Sequence, residues 1–131
     1  MPLCFNLSDD RHEIITNSDP IFAGTPFSKS DFTVEVKPIA RDEYAKIQRK
    51  HTFREQGALL QDEHAMETEI FCKVVSGWQG IVDEKGTPIP YNDQTKFAIA
   101  NKHWKFASLI NLAMVRIQSE QKEKQEETRK N

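Results

Sequence analysis

The sequence has few cysteines, no long hydrophobic run and no excess of charge of either sign. Its two cysteines, Cys4 and Cys72, are too few to staple a domain of 131 residues, and two isolated thiols fit a reducing compartment. No segment approaches the roughly 20 apolar residues of a membrane-spanning helix. Asp9 and Asp10 interrupt the N-terminus before the core of a signal peptide could form. These absences predict a cytoplasmic protein with no membrane partner.

The near-neutral charge argues against a nucleic-acid partner. The chain has 18 basic and 20 acidic residues, a formal charge of −2 and a pI near 6.1. A domain that binds phosphate backbones normally has a clear basic excess. The basic residues concentrate between 37 and 54, but Asp42, Glu43 and Glu55 interleave with them. We therefore interpret this stretch as a solvated amphipathic face and expect no nucleic-acid binding.

The hydrophobic residues make up 37% of the chain and fall into a few segments with clear periods. Leu3, Phe5 and Leu7 alternate with polar residues, which predicts a short strand near the N-terminus. The same alternation over 32–37, stopped by Pro38, predicts a second strand. Apolar residues at helical spacing then predict an amphipathic helix over Arg41–Lys50.

A second helix is predicted from Thr52 onward. Thr52 and Glu55 have the spacing of a capping box, which typically opens a helix. The expected helix runs to about Ser76. Its apolar stripe consists of Leu60, Phe71, Val74 and Trp78.

The last third of the chain begins with a predicted turn. Asp83 and Gly86 suit the first and last positions of a type I turn between short strands. Asn92 is a good N-cap for a helix through about Ala100, and 101–103 predicts a break. The next helix, from Trp104, is apolar nearly all round over 104–117, as in a helix that is central to a core or that contacts another chain.

These segments predict a helix-dominated α+β domain over 1–117. It would contain a small N-terminal antiparallel sheet or hairpin and a long C-terminal helix. Residues 118–131 are polar and carry charges of both signs. We expect them to form a helical extension or a disordered tail.

Signatures of catalysis are few. The sequence has no Gly-x-Gly-x-x-Gly, no phosphate loop, no nucleophile elbow and no His-Glu-x-x-His. His64, Glu67 and Cys72 are the best candidate metal ligands, but zinc sites usually pair their ligands more closely. Cys72 could also act as a nucleophile if a histidine lay beside it. We favour a core-edge His64 and an inert Cys72, and expect no catalytic residue, metal or cofactor.

The order of motifs over 74–93 resembles phage tail assembly chaperones, the tape-measure chaperones of long-tailed phages and prophages. In that family a helix ends in a Trp-x-Gly-(Ile/Val) step, followed by an Asp-Glu-x-Gly turn, a Pro-(Ile/Val)-Pro-aromatic segment and a capped helical region. The matching residues here are Trp78, Gly80, Ile81, Asp83, Glu84, Gly86, Pro88, Ile89, Pro90, Tyr91 and Asn92. The resemblance spans roughly 32–117.

This resemblance implies a protein of the host cytoplasm that is not an enzyme. Such chaperones bind the aggregation-prone tape-measure protein, keep it soluble and help to recruit tail tube subunits. One alternative is another small morphogenesis protein, a minor tail or connector subunit that stays in the particle. A third is a small metal-binding protein or enzyme that uses His64, Glu67 and Cys72.

Large apolar side chains near the resemblance and on the last helix are the candidates for partner binding. Trp and Phe are suitable anchors because each buries a large area on contact. Self-association is open as well, because the last helix has more apolar surface than one face needs. The candidates are Trp78, Ile81, Trp104, Phe106, Ile110 and Met114.

Overall fold

A computed structural model describes residues 2–3 and 12–130, with side chains described as far as residue 119. The predicted strand at Leu3, Phe5 and Leu7 lies mostly outside this part of the chain. The strands are β1 (Glu13–Thr16), β2 (Thr33–Val36), β3 (Thr52–Glu55), β4 (Ala58–Gln61) and β5 (Val75–Gln79). The helices are α1 (Arg41–Lys50), α2 (Glu63–Val74), α3 (Asp93–Lys102) and α4 (Trp104–Lys130), with 3-10 helices at Pro20–Phe22 and Pro26–Lys29.

A three-stranded antiparallel sheet, in the order β1-β2-β5, supports one side of the core. In the central strand β2, Val34 and Val36 are buried, while the residues between them are partly exposed. Val34 lies opposite Ile15 of β1 and Trp78 of β5. The period-2 pattern over 32–37 therefore predicted β2 correctly, because it reports the buried face of the strand.

The helices α1, α3 and α4 form where local signals in the sequence predict them. The helix α1 has the predicted bounds, Arg41–Lys50. The helix α3 begins with a capping box, in which the Asn92 side chain accepts from the Thr95 amide and Thr95 Oγ1 accepts from the Asn92 amide. His103 ends α3 and separates it from α4, as the break over 101–103 predicts. The overall class is α+β, as expected.

The predicted helix start at Thr52 is wrong, because residues 52–61 form a β-hairpin. Thr52 Oγ1 donates to the backbone oxygen of Gln48, 2.6 Å away, and so acts at the end of α1. Gln56 and Gly57 have φ angles of 51° and 79°, the left-handed values of a two-residue hairpin turn. Leu60, expected on the helix stripe, is therefore an exposed residue of β4. The helix α2 begins after Asp62, whose carboxylate accepts from the Ala65 amide.

The predicted end of this helix, near Ser76, lies within two residues of the observed end, but the sequence does not predict the strand that follows it. The helix α2 ends at Val74, and the chain continues directly into β5. Trp78 consequently lies on a strand opposite Val34. Val75, the first residue of β5, is β-branched and favours this extended conformation once β2 is available as a partner.

A cluster of five phenylalanine rings joins α4 to the other parts of the core. The ring of Phe106 on α4 is central, with centroids 5.3 Å from Phe27, 5.5 Å from Phe32, 6.2 Å from Phe22 and 6.4 Å from Phe71. These rings come from the two 3-10 helices, from the residue before the central strand β2 and from α2. Aromatic pairs in such tilted and edge-on geometries are each worth about 0.5–1.5 kcal/mol beyond their buried area.

Polar contacts fix α4 against the rest of the fold. The Arg116 guanidinium donates to both carboxylate oxygens of Asp19, at 2.7 Å for the first pair. Asn111 Nδ2 donates to the backbone oxygen of Glu67 on α2, and Gln118 Nε2 donates to that of Ile39. No helix within residues 2–3 and 12–130 is both long and apolar enough to cross a membrane.

Gly80 follows β5 at a point where two backbone segments nearly touch. Its φ is +80°, and a Cβ there would lie 2.4 Å from the backbone oxygen of Asp31. Gly86 has a φ of +83° but open space around it. We expect Gly86→Ala to lower the free energy of unfolding by about 1 kcal/mol, because alanine is strained at a positive φ. Gly80→Ala should lower it by about 1–3 kcal/mol more, because its Cβ also clashes with the Asp31 backbone. Urea unfolding of both variants would measure the difference, and equal costs would contradict the close approach.

The Asp19–Arg116 pair makes stability depend on pH. The hydrogen bonds from Arg116 lower the pKa of Asp19, against the opposing effect of burial. A lowered folded pKa stabilises the protein above the ordinary value of about 3.9, and this contribution is lost as pH falls through the lower, folded value. We expect Asp19→Asn to lower the free energy of unfolding by about 1–2 kcal/mol at neutral pH. This value is smaller than for a fully buried pair because Arg116 is partly exposed.

Urea unfolding at neutral pH and at a series of lower pH values would test this pair, because protonation of the Asp19 carboxylate removes the attraction to Arg116. The difference between wild type and Asp19→Asn should shrink as the pH falls. Asp31→Asn, which removes the same charge at an exposed position, is the control against which the effect of Asp19→Asn is measured. A difference for Asp19→Asn that persists at low pH would contradict the role of the ion pair.

Candidate functional site

An apolar groove lies between the loop after β5, the second 3-10 helix and the junction of α3 and α4. Its volume is about 420 Å³. Phe32 and Phe106 form its floor, so the groove lies directly over the phenylalanine cluster. The residues that line it are Pro26, Phe27, Ser30, Phe32, Gly80, Ile81, Val82, Ile89, Ile99, His103 and Phe106.

The first wall of the groove is the loop over 81–89, which is closed by its own hydrogen bonds. The Asp83 side chain accepts from the amides of Lys85 and Thr87, each at 2.9 Å. The Ile89 amide donates to the backbone oxygen of Ile81 at 2.9 Å. The turn predicted at Asp83 is therefore confirmed, and it fixes Ile81 and Ile89 side by side.

Trp78 holds this loop against the sheet. Its indole Nε1 donates to the backbone oxygen of Ile89 at 2.9 Å. Its ring packs edge-on against Tyr91 at 5.1 Å, and the Tyr91 hydroxyl donates to the backbone oxygen of Val75. Trp78 thus positions the wall of the groove instead of lining it.

Lys96 supports Tyr91 from the other side. Its ammonium lies 5.0 Å from the centroid of the Tyr91 ring and donates to the backbone oxygen of Cys72 in the last turn of α2. Burial works against this charge, but Tyr91 and Asp93 prevail and raise the pKa of Lys96 above its ordinary value. The ammonium therefore stays charged and satisfies a carbonyl at the negative end of the helix.

The opposite wall is the 3-10 helix Pro26–Lys29. Thr25 Oγ1 donates to the Phe22 backbone oxygen at 2.6 Å, and Ser28 Oγ donates to that of Thr25 at 2.8 Å. These bonds tighten the turn that directs Phe27 toward Phe106. Because Gly80 lacks a side chain, the first wall can begin in contact with the backbone of Asp31 and Phe32.

The α3–α4 junction closes one end of the groove. The His103 amide donates to the Ile99 backbone oxygen at 2.8 Å, and the Phe106 amide donates to the His103 backbone oxygen at 3.1 Å. His103 is the one titratable side chain among the residues that line the groove. The rest of the lining is apolar apart from Ser30, so the groove suits an apolar side chain better than a charged ligand.

The structure divides the six predicted partner-binding residues among different environments. Ile81 and Phe106 meet in the groove, and Trp78 supports its wall. Trp104 is exposed and lines a separate cavity of about 390 Å³ between α2 and α4.

Three of the six predicted residues lie on the buried side of α4. Ile110 and Met114 are fully buried in the core, and Phe106 is only 7% exposed. A partner could reach Phe106 only through the groove and could not reach Ile110 or Met114 without unfolding α4. The reason is that the inner face of α4 packs against α2 and the N-terminal segment.

Of the residues that line the groove, sequence reasoning named only Ile81 and Phe106 as partner-binding candidates; Phe27, Ile89, Ile99 and His103 are among those it missed. Ile89 did lie in the recognised Pro-Ile-Pro motif, which could have marked it as a wall residue. Phe27 lies in a segment without periodicity, and its role depends on where Phe106 lies. Only the tertiary fold brings the two together.

The candidate metal ligands do not converge. His64 Nε2 lies 3.2 Å from Asn101 Oδ1, and Glu67 accepts a hydrogen bond from Asn111. Burial raises the pKa of the Cys72 thiol, which keeps it protonated and weakens it as a ligand or nucleophile. Within the described residues, no group of three or more His, Cys, Asp or Glu side chains could hold a metal ion.

Comparison with known proteins places the chain among prophage proteins. The family described as YdaY prophage protein matches residues 27–131, which include every residue that lines the groove except Pro26. No curated protein and no solved structure matches the chain. Because the match covers most of the sequence, the chain belongs to the YdaY prophage protein family.

Proposed function

We propose that this prophage protein is a tail assembly chaperone that binds a tape-measure protein without catalysing a reaction. The observation that carries the proposal is the apolar groove over Phe106. The order of motifs over 74–93, which resembles tail assembly chaperones, forms one wall of that groove. The motif and the candidate binding surface therefore coincide.

The groove has the form that a helical client requires. Tape-measure proteins are largely helical, and amphipathic helices bind by inserting apolar side chains into hydrophobic grooves. A volume of about 420 Å³ has room for one or two large apolar side chains. Ile81, Ile89 and Ile99 offer aliphatic contacts around them, while the phenylalanine floor excludes water.

The groove is also preorganised. Its loop wall is held by the Asp83 side chain, by the Trp78 indole and by the close approach at Gly80. A surface that is already ordered loses less conformational entropy on binding. A chaperone that must capture an aggregation-prone client during assembly in the host cytoplasm benefits from such a surface.

Co-expression with the tape-measure protein of the same prophage tests this function. Val82 lies on the rim of the groove and is 50% exposed, so Val82→Glu adds a charge there without disturbing the core. Val115, on α4, is 47% exposed and does not line the groove, so Val115→Glu is the matched control. We expect the wild type and Val115→Glu to keep the tape-measure protein soluble and Val82→Glu to lose most of that effect.

Two results would count against the proposal in different ways. If the wild type leaves the tape-measure protein as insoluble as it is alone, the chaperone function is wrong. If both variants act like the wild type, the groove is not the binding surface. Analysis of purified phage particles addresses the alternative role, because a minor tail or connector subunit remains in them and a chaperone does not.

A further inference from the structure

The β3–β4 hairpin projects from the fold as an incomplete sheet. All four residues of β4 and three of the four in β3 are exposed, including Phe53, Leu59 and Leu60. No third strand pairs with it in the part of the chain that the structure describes. A two-stranded hairpin is marginally stable in water, and a third strand or a packed face is normally needed. Something is therefore expected to complete this sheet.

The two edges of the hairpin differ in charge. The edge strand β3 contains Arg54 and Glu55, whereas β4 contains only Ala58, Leu59, Leu60 and Gln61. Natural proteins usually protect exposed edges with charges, prolines or bulges. The edge of β4 has none of these features and is open to another strand.

The hairpin register shows which backbone groups of β4 are free to pair. The Asp62 amide donates to the backbone oxygen of His51 at 2.8 Å, and Phe53 lies opposite Leu60. Hydrogen-bonded pairs alternate along an antiparallel ladder, so Leu60 faces β3 with its amide and carbonyl. Leu59 and Gln61 therefore direct theirs outward, away from the hairpin.

We propose that a second copy of this chain pairs with β4 in antiparallel fashion, about a two-fold axis at Leu60. In this register Leu59 exchanges two backbone hydrogen bonds with the partner's Gln61, and Gln61 exchanges two with the partner's Leu59. Leu60 lies directly opposite the partner's Leu60. Every outward amide and carbonyl of Leu59 and Gln61 is then satisfied.

The edge is self-complementary in its side chains as well. Because Phe53 lies opposite Leu60 within one hairpin, the pairing forms an unbroken row of Phe53, Leu60 and the same two residues of the partner. This row lies on one face of a four-stranded sheet, where cross-strand apolar pairs stabilise it. Arg54 and Glu55 lie on the outer strand, so no like charges meet at the seam between the β4 strands.

The resulting dimer is independent of the proposed client site. No hairpin residue lines the groove, which stays open in each copy. Four strand residues per copy form a small interface, so we expect a reversible dimer that depends on concentration.

Sedimentation equilibrium of the purified full chain tests the dimer. Leu60→Lys places two ammonium groups opposite each other and should weaken the dimer at least about tenfold in Kd. Leu112→Lys, at a 54% exposed position on α4, is the matched control and should leave Kd unchanged. A wild type that stays monomeric at all concentrations, or equal effects of the two variants, would overturn the proposal.

Disulfide cross-linking tests the register itself. Across a non-hydrogen-bonded antiparallel pair the Cβ atoms lie about 4.5–5.5 Å apart, close enough for a disulfide after a small adjustment. We expect Leu60→Cys to form a covalent dimer on mild oxidation. Leu59→Cys, although 67% exposed, faces the other side of the sheet and should cross-link far more slowly.

The same variants distinguish another occupant of the edge. If the chain is monomeric and Leu60→Lys instead abolishes the solubilisation of the tape-measure protein, the edge binds the client and the dimer is wrong. If the dimer forms as described while co-expression has no effect on the client, the proposed function fails and the dimer remains.

Discussion

The packing of Phe106 against four other phenylalanine rings is the interaction on which the rest of the structure depends. It joins α4 to α2 through Phe71, to the sheet through Phe32 and to the N-terminal segment through Phe22 and Phe27. Phe22 and Phe27 lie in two short 3-10 helices, and the burial of their rings helps to hold these helices against α4. The same ring forms the groove floor. Core stability and the candidate binding surface therefore depend on one set of contacts, and the groove can be rigid without ligand.

The walls of the groove are held by polar contacts. The Trp78 indole donates a hydrogen bond to the backbone of Ile89, and the Asp83 side chain closes the turn between Ile81 and Ile89. Gly80 permits the close approach from which this wall begins. Membership of the YdaY prophage protein family is compatible with several roles in a phage, and the geometry of this groove is what favours a protein client among them. The proposed role follows from a surface that is apolar, concave and already ordered.

The hairpin is a second kind of surface, because its unsatisfied groups are backbone groups. A groove selects a partner by side-chain fit, whereas an open strand edge selects one by hydrogen-bond register. The uncharged edge at 58–61 and the row that begins at Phe53 make a second copy of the chain a fitting partner. One small domain thus presents two surfaces that share no residue.

The sequence by itself determined the elements whose signals are local. The helix α1, the strand β2 and the turn at Asp83 could be predicted because their periodicity or turn chemistry lies within a few neighbouring residues. The hairpin and β5 could not. The Thr52 and Glu55 pattern suits a helix cap and a strand equally, and β5 is a strand only because β2, distant in the sequence, pairs with it. Likewise 104–117 is apolar nearly all round, so the sequence could not tell which side chains face the core. Tertiary packing alone buried the inner face of α4 and left Phe106 as the floor of the groove, because contacts between distant segments decide which face of a helix is buried.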